Sequence, residues 1–353
     1  MAKAKQRSSS AAQRREEVKK QRQQRMAPSP STSSRSRTNQ RRRSQGNQLP
    51  WGLLVGAVFV IVAFIGVFFY LSHQQPSNNS GITTPTPASP SLLQAVTHVS
   101  PTVLAAVGTG GQNKVLTPLK RSSGSATPPF LTGPTGKPEI FYAGAEYCPY
   151  CAAERWAMVV ALSRFGTFSK LDQTTSSASD VYPNTPTFTF YHSEYTSQYI
   201  DFVSLEETTN QPDGSGGYTL LQTPTADQQK LINIYDAPPY LSSAGSIPFI
   251  DIANQYVMQG ANYDPQLLAN HSWDDIAGQL SNKNSDITKA IVGSANYLTA
   301  AICVATKQQP ASVCTTAPIP QIEQSLGKTA LNAGNIQASL AFHPFDMLVR
   351  RQD

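Results

Sequence analysis

The sequence predicts an α/β fold, and three observations lead to this prediction. A turn signal at Gly136 and a short apolar and aromatic run precede a C-x-x-C motif, and a stretch rich in helix formers follows the motif. Residues 187–191 and 199–203 are aromatic and β-branched segments, which predict strands. Pro248 enters an apolar strand, and a second strand that ends at Gly260 follows it.

The first 48 residues predict a disordered, basic tail. They carry fourteen lysines and arginines against only Glu16 and Glu17, and serine and glutamine fill most of the gaps. Because the rest of the chain is acidic, the net charge of +6 belongs to the tail. The basic isoelectric point therefore does not predict a nucleic-acid partner. The tail is either a topology signal or a cytoplasmic contact for anionic lipid or nucleic acid.

An uncharged run of twenty-one residues, from Trp51 to Leu71, follows the tail. It is long enough to cross a hydrocarbon core of about 30 Å, so we predict a transmembrane helix over residues 49–71. The alternative is a cleaved signal peptide, but no small-x-small cleavage site follows the run. The positive-inside rule then predicts a single-pass protein of the cell membrane, with a cytoplasmic N-terminus and an extracytoplasmic C-terminal domain.

Beyond the run, the composition predicts a tether over residues 72–90, because serine, threonine and proline dominate there. The exported domain is expected over residues 91–349, opening with a short helix and a strand. The remaining segments predict loops at 122–134, 164–180 and 210–217, and helices over 225–235, around 273–280 and over 285–301.

Cys148 and Cys151 lie where the predicted strand meets the predicted helix. Unpaired amides and the positive end of the helix dipole favour a thiolate on Cys148 at such a junction. Cys151, one turn further along, would then be the resolving thiol. Pro149 suits the first helical turn, where its missing amide hydrogen costs nothing. A bare C-x-x-C also fits half of a zinc site.

These residues resemble the thioredoxin fold, with its strand, its C-x-x-C helix, its later cis-proline facing the thiols and its closing hairpin. The resemblance implies that Cys148 attacks, that Cys151 resolves and that Pro248 is the cis-proline. It also implies a large insertion, because nearly a hundred residues separate Cys151 from Pro248. The substrate-binding residues that we assign beside the two thiols are Ile247, whose backbone would meet an extended chain, Pro248, Pro149 and Tyr150.

Over roughly residues 90–315, the chain is also similar to the membrane-anchored domain of unknown function 929 family. The segments that carry this similarity are AGAEYCPYCAAERW at 143–156, DVYPNTPTF at 180–188, IPFID at 247–251 and AAIC at 300–303. Because no activity is assigned to that family, the predicted chemistry depends on the two thiols.

Two positions depart from the thioredoxin pattern. Tyr142 lies six residues before Cys148, where many thioredoxins bury a carboxylate that helps to deprotonate the resolving thiol. Proton transfer would therefore need another group, for which Glu146 or water are candidates. Tyr147 replaces the usual tryptophan.

Cys303 and Cys314 lie beyond the predicted membrane helix, where disulfides persist. The expected arrangement is a structural disulfide that closes a short loop. One alternative is a second redox pair that relays electrons to Cys148. Another is a joint zinc site with Cys148 and Cys151, for which ten intervening residues are a poor spacing.

The expected function is that of a membrane-tethered, extracytoplasmic thiol-disulfide oxidoreductase. Its partners would be exported protein thiols or disulfides and an electron partner in or outside the membrane, and neither a cofactor nor a metal is predicted. The alternatives are a non-catalytic thioredoxin-like binding domain with a structural C-x-x-C disulfide, and a module that binds metal through its thiolates.

Overall fold

The computed structural model describes residues 81–112, 116–119 and 128–327 of the 353-residue chain. The basic tail, the predicted transmembrane helix, residues 72–80 of the tether and the end of the predicted domain lie outside these residues. The described part contains both sheets and helices, which confirms the mixed α/β class.

The strands of the described residues form three sheets. In chain order they are β1 Thr86–Pro87, β2 Thr117–Pro118, β3 Glu139–Gly144, β4 Gly166–Thr175, β5 Pro186–Ser197, β6 Asp201–Glu206, β7 Thr208–Pro212, β8 Tyr218–Leu220, β9 Phe249–Ile252 and β10 Tyr256–Gln259. The helices are α1 Pro90–Thr97, α2 Pro101–Val107, α3 Pro149–Leu162, α4 Ala226–Tyr235, α5 Trp273–Gln279, α6 Asp286–Ala305 and α7 Ala311–Cys314, with a 3₁₀ turn at Pro265–Leu268.

The largest sheet has the order β2-β10-β9-β3-β6, and its strand β3 is buried along its whole length. Strand β3 runs parallel to β6, with Ile140 opposite Phe202, and antiparallel to β9, with Tyr142 opposite Ile250. An apolar strand with neighbours on both sides fits the continuous apolar run in its sequence. Helix α3 begins five residues after this strand ends, so the C-x-x-C motif lies at the carboxyl edge of the sheet.

A second sheet has the order β1-β4-β5, and it contains one prediction that is wrong. Residues 164–180 were expected to be a loop, but β4 pairs with β5 over most of that segment. The strand is polar and only partly buried, so its sequence lacks the apolar alternation that predicts strands. The end of the predicted tether also joins this sheet, because Thr86 in β1 pairs with Gln173.

The N-terminal extension differs from the predicted helix and strand, because it forms two helices, α1 and α2. Ser89 and Ser100 cap the two helices, and each serine is followed by a proline in the first helical turn. A serine cap followed by proline is a strong start signal for a helix. This local signal outweighs the β-branched residues that favoured a strand.

The predicted helices after residue 220 are confirmed. Thr225 forms a capping box with Gln228 at the start of α4, and Ser285 caps α6. Among the described residues, α6 alone has the length and composition of a membrane-crossing helix. However, 89% of its most apolar 18-residue stretch is buried inside the protein. Helix α6 packs in the same apolar core as α3.

Candidate functional site

Cys148 and Cys151 are free thiols at the start of helix α3. Cys148 is the N-cap residue, and its sulfur accepts a hydrogen bond from the backbone N–H of Cys151 at 3.4 Å. The Cys148 side chain retains 6% exposure, whereas Cys151 is fully buried. The outer thiol is therefore the one that a substrate can reach.

The surroundings of the two thiols separate their acidities. The hydrogen bond from the Cys151 side chain lowers the pKa of Cys148, as do the N–H groups of Cys151 and Tyr150 and the charge of Arg155, against the opposing effect of burial. Burial raises the pKa of Cys151 well above its ordinary value. The pair therefore has a thiolate-forming outer sulfur and a proton-holding inner sulfur, as nucleophilic exchange requires.

Pro248 begins the other wall of the site. The Ile247–Pro248 peptide bond is cis, and Cys148 Sγ lies 4.0 Å from the carbonyl oxygen of Ile247. Of the remaining residues predicted to bind substrate, Tyr150 is 41% exposed and Pro149 is buried in the first helical turn. The structure thus brings Cys148, Cys151 and the Ile247–Pro248 peptide together and places Tyr150 at the surface.

Aromatic pairs lie on two sides of the thiols. Tyr147 stacks on Tyr218 of strand β8 with ring centroids 4.1 Å apart. Tyr150 meets Tyr182 edge to face at 6.3 Å. Both partners come from the long segment between α3 and Pro248, so this segment shapes the approach to Cys148.

An open cleft with a volume of about 480 Å³ lies on the Ile247 side of the site. Its walls include Ile247 and Phe249, and two carboxylates, Glu207 and Asp236, also line it. Burial raises the pKa of Asp236 to about 6, and Glu207 adds to this effect. Neither cysteine lines the cleft, and Ile247 is the residue that it shares with the surroundings of Cys148.

A buried ion pair lies behind the thiols. Arg155 Nε donates to Glu206 Oε1 at 2.9 Å, and Arg155 Nη2 donates to Glu206 Oε2 at 2.6 Å. The same Nη2 donates to the carbonyl oxygen of Ala145 at 2.8 Å. Both side chains are fully buried, so the pair ties α3 to the end of β6 and to the loop before Cys148.

The inner thiol faces Tyr142 across Gly144. A Cβ atom at Gly144 would lie 2.2 Å from the Tyr142 hydroxyl oxygen and 3.1 Å from Cys151 Sγ, so only glycine leaves this space open. The Tyr142 ring is fully buried, packs edge to face on Phe190 at 5.1 Å and has the Arg155 guanidinium 5.7 Å from its centre.

Sequence reasoning overlooked Arg155 and Glu206. The available signal was a charged residue on an otherwise buried helix, four positions after Cys151 and hence on the same face. Glu146, which the sequence offered as a proton-transfer candidate, is buried beside this pair, and burial raises its pKa. Its Oε1 has no hydrogen-bond partner among the described residues.

Cys303 and Cys314 are bonded to each other, with sulfur atoms 2.03 Å apart. Cys303 lies near the end of α6, Cys314 ends α7, and both are fully buried. The bond therefore closes the short connection between these two helices.

Another buried carboxylate, Glu154, lies on α3 and reaches towards α6. Its oxygens accept hydrogen bonds from the backbone N–H of Asn262 at 3.0 Å and from the Ser294 hydroxyl at 2.9 Å. The ion pairs of the described residues do not include it. Burial raises the pKa of Glu154 to about 7, and the two hydrogen bonds oppose this rise.

We expect the free energy of unfolding of the protein to fall as the pH rises from about 4.5 to about 7. The folded-state pKa of Glu154 lies above its unfolded value of 4.5, so its contribution is complete below 4.5 and is lost as the pH passes 7. The loss is about 3 kcal/mol for this group alone. Urea unfolding at pH 4.5 and pH 7.5 measures it.

The matched variant for this prediction is Glu154→Gln. Glutamine can accept from Asn262 and donate to Ser294, but it does not titrate. The variant should therefore be less sensitive to pH than the parent chain, with Asp251 still contributing, since burial raises its pKa to about 7. An unchanged pH dependence in Glu154→Gln would contradict the assignment.

One family model, described as a domain of unknown function (DUF929), matches residues 131–213 and 217–304. These segments contain the C-x-x-C motif, Arg155, Glu206 and the Ile247–Pro248 peptide. Neither the curated proteins nor the solved structures include a match to the chain.

Proposed function

The DUF929 match supports membership of that family, and we propose that this member is a thiol-disulfide oxidoreductase with a thioredoxin-like fold. The observation that carries the proposal is that the pKa values of two thiols one helical turn apart are shifted in opposite directions. The environment lowers the pKa of Cys148, the more accessible thiol, and raises that of the fully buried Cys151. A purely structural pair has no need of this separation.

The proposed reaction begins with attack by the Cys148 thiolate on one sulfur of a substrate disulfide. The substrate S–S bond breaks, a mixed disulfide forms, and the departing thiolate takes up a proton. Cys151 then loses its proton and attacks the Cys148 sulfur, which releases the second substrate thiolate. The internal Cys148–Cys151 disulfide is the product, and the same steps in reverse oxidise a substrate dithiol.

The position of the site supports the thioredoxin-like assignment. The motif follows the buried strand β3, which pairs in parallel with β6 and antiparallel with β9 of the closing hairpin. The cis peptide before Pro248 brings the Ile247 carbonyl to Cys148. An extended substrate chain would lie along Ile247, which also lines the adjoining cleft.

The proposed location is the outer face of the cell membrane. The basic tail and the apolar run of residues 51–71 favour a helical anchor with the domain outside. The bonded Cys303 and Cys314 fit an oxidising compartment, where the substrates would be exported proteins with thiols or disulfides.

A Cys151→Ala variant of the full-length chain should trap these substrates. Without the resolving thiol, mixed disulfides on Cys148 persist and migrate as reducible high-mass species on a gel. Mass spectrometry of those species identifies the bound cysteines. The control is the double variant Cys148→Ser/Cys151→Ala, which should form none. A Cys151→Ala variant as free of adducts as this control would refute thiol exchange.

A further inference from the structure

Two buried polar groups on side chains close to the thiols have no hydrogen-bond partner among the described residues. They are the Tyr142 hydroxyl and Arg155 Nη1. Buried polar groups in folded proteins are nearly always paired, so unpaired ones call for an explanation. Both side chains are fully buried: Tyr142 borders the same space at Gly144 as Cys151 Sγ, and the charge of Arg155 acts on Cys151.

Tyr142 can donate a hydrogen bond at this position. Burial raises its pKa well above the ordinary value, so its hydroxyl keeps its proton. The hydroxyl and Cys151 Sγ both border the space that Gly144 leaves free of a side chain. A thiolate on Cys151 would therefore find a hydrogen-bond donor already in place.

Arg155 supplies the positive charge. Glu206 holds its Nε and Nη2 through two hydrogen bonds, which leaves Nη1 directed away from the ion pair. The charge of Arg155 lowers the pKa of both cysteines. Charges act strongly at such a dry position, because little water screens them.

We propose that Tyr142 and Arg155 form an anion site for the Cys151 thiolate, with Glu206 as the residue that positions Arg155. This inference rests on the proposed exchange reaction. Before resolution Cys151 loses its proton, to water or to the first substrate thiolate that has already left, and its sulfur carries negative charge until it bonds to Cys148 and the mixed disulfide breaks. The donor and the cation stabilise that charge, so Cys151 loses its proton to water or to the departed thiolate more readily, without needing a buried base beside it.

Tyr142→Phe tests the donor, because it removes only the unpaired hydroxyl and keeps the ring on Phe190. A chromogenic aryl disulfide releases one coloured thiolate when Cys148 attacks and a second when Cys151 resolves the adduct. We expect the first release to keep its rate and the second to slow about tenfold, as for loss of one hydrogen bond to a charged group. The pH midpoint of the second release should rise.

Glu206→Gln should shift the pH midpoint of the second release in the opposite direction to Tyr142→Phe. It removes the negative charge that offsets Arg155, so the pH midpoint of the second release should fall. General damage to the fold would not move two neighbouring variants in opposite directions. The matched control is Tyr195→Phe, whose hydroxyl donates to Leu162 at the far end of the same helix and should leave both releases unchanged.

The outcomes separate this inference from the proposed function. If Tyr142→Phe resolves adducts at the parental rate and pH midpoint, the anion site is refuted while exchange stands. The site is refuted as well if Glu206→Gln and Tyr142→Phe shift the midpoint in the same direction. If the parent chain itself gives no second release, exchange through this pair fails and the anion site fails with it.

Discussion

Replacing Cys148 by serine should reduce thiol-disulfide exchange to the rate of buffer alone. The serine hydroxyl is not ionised at neutral pH and cannot form the mixed disulfide, whereas Cys151 is too deeply buried to meet a substrate. The hydrogen bonds and the charge that lower the pKa of Cys148 would not ionise a serine hydroxyl at neutral pH. Reduction of insulin disulfides and oxidation of a reduced protein by the full-length chain measure the two directions.

The control for this prediction is a variant in which the second cysteine pair is replaced by alanine. Cys303→Ala/Cys314→Ala removes the bonded pair that lies at the α6–α7 connection. If exchange depends on Cys148 alone as the attacking thiol, this variant should retain it wherever the chain remains folded. Full activity in Cys148→Ser would disprove the proposed function.

Arg155→Met should cost about 3–5 kcal/mol of unfolding free energy, because it leaves the Glu206 carboxylate buried without its cation. It also removes the donor to the Ala145 carbonyl, which is part of the loop that leads to Cys148. Urea unfolding followed by circular dichroism measures the change. Methionine has a similar length, so lost packing contributes little.

The double variant Arg155→Met/Glu206→Gln tests the cause of that loss. Since glutamine is neutral, no unpaired charge remains in the core, and the double variant should recover most of the stability that the single variant loses. A double variant as unstable as Arg155→Met would show that packing, and not the charge, sets the cost.

The part of the site that lies close together in the chain was predictable from the sequence. Cys148, Cys151 and the helix that follows them form one local signal, in which a buried strand, a cap and an amphipathic pattern agree. Helices α4 and α6 were predictable for the same reason, since a Thr or Ser cap precedes each. Such elements can be predicted from neighbouring residues alone, without knowing which distant residues they contact.

The rest depends on contacts between distant residues. The pairing of Arg155 with Glu206 joins positions that are 51 residues apart, and neither side chain carries a local sign of its partner. Strand β4 carries few apolar residues and is only partly buried, so it forms only where β5 and β1 pair with it. In α2, the serine cap and the proline outweighed the β-branched residues that favoured a strand.

The empty space at Gly144 also constrains how this chain can vary through evolution. A methyl group there meets the Tyr142 ring and hydroxyl before it meets anything else, and Cys151 Sγ is the next atom. Positions 142, 144 and 151 are therefore mutually dependent: a larger residue at 144 requires a smaller one at 142. Sequences that descend from this one should change positions 142 and 144 together, and a lineage that loses Cys151 alone still requires glycine, because Tyr142 fills the space.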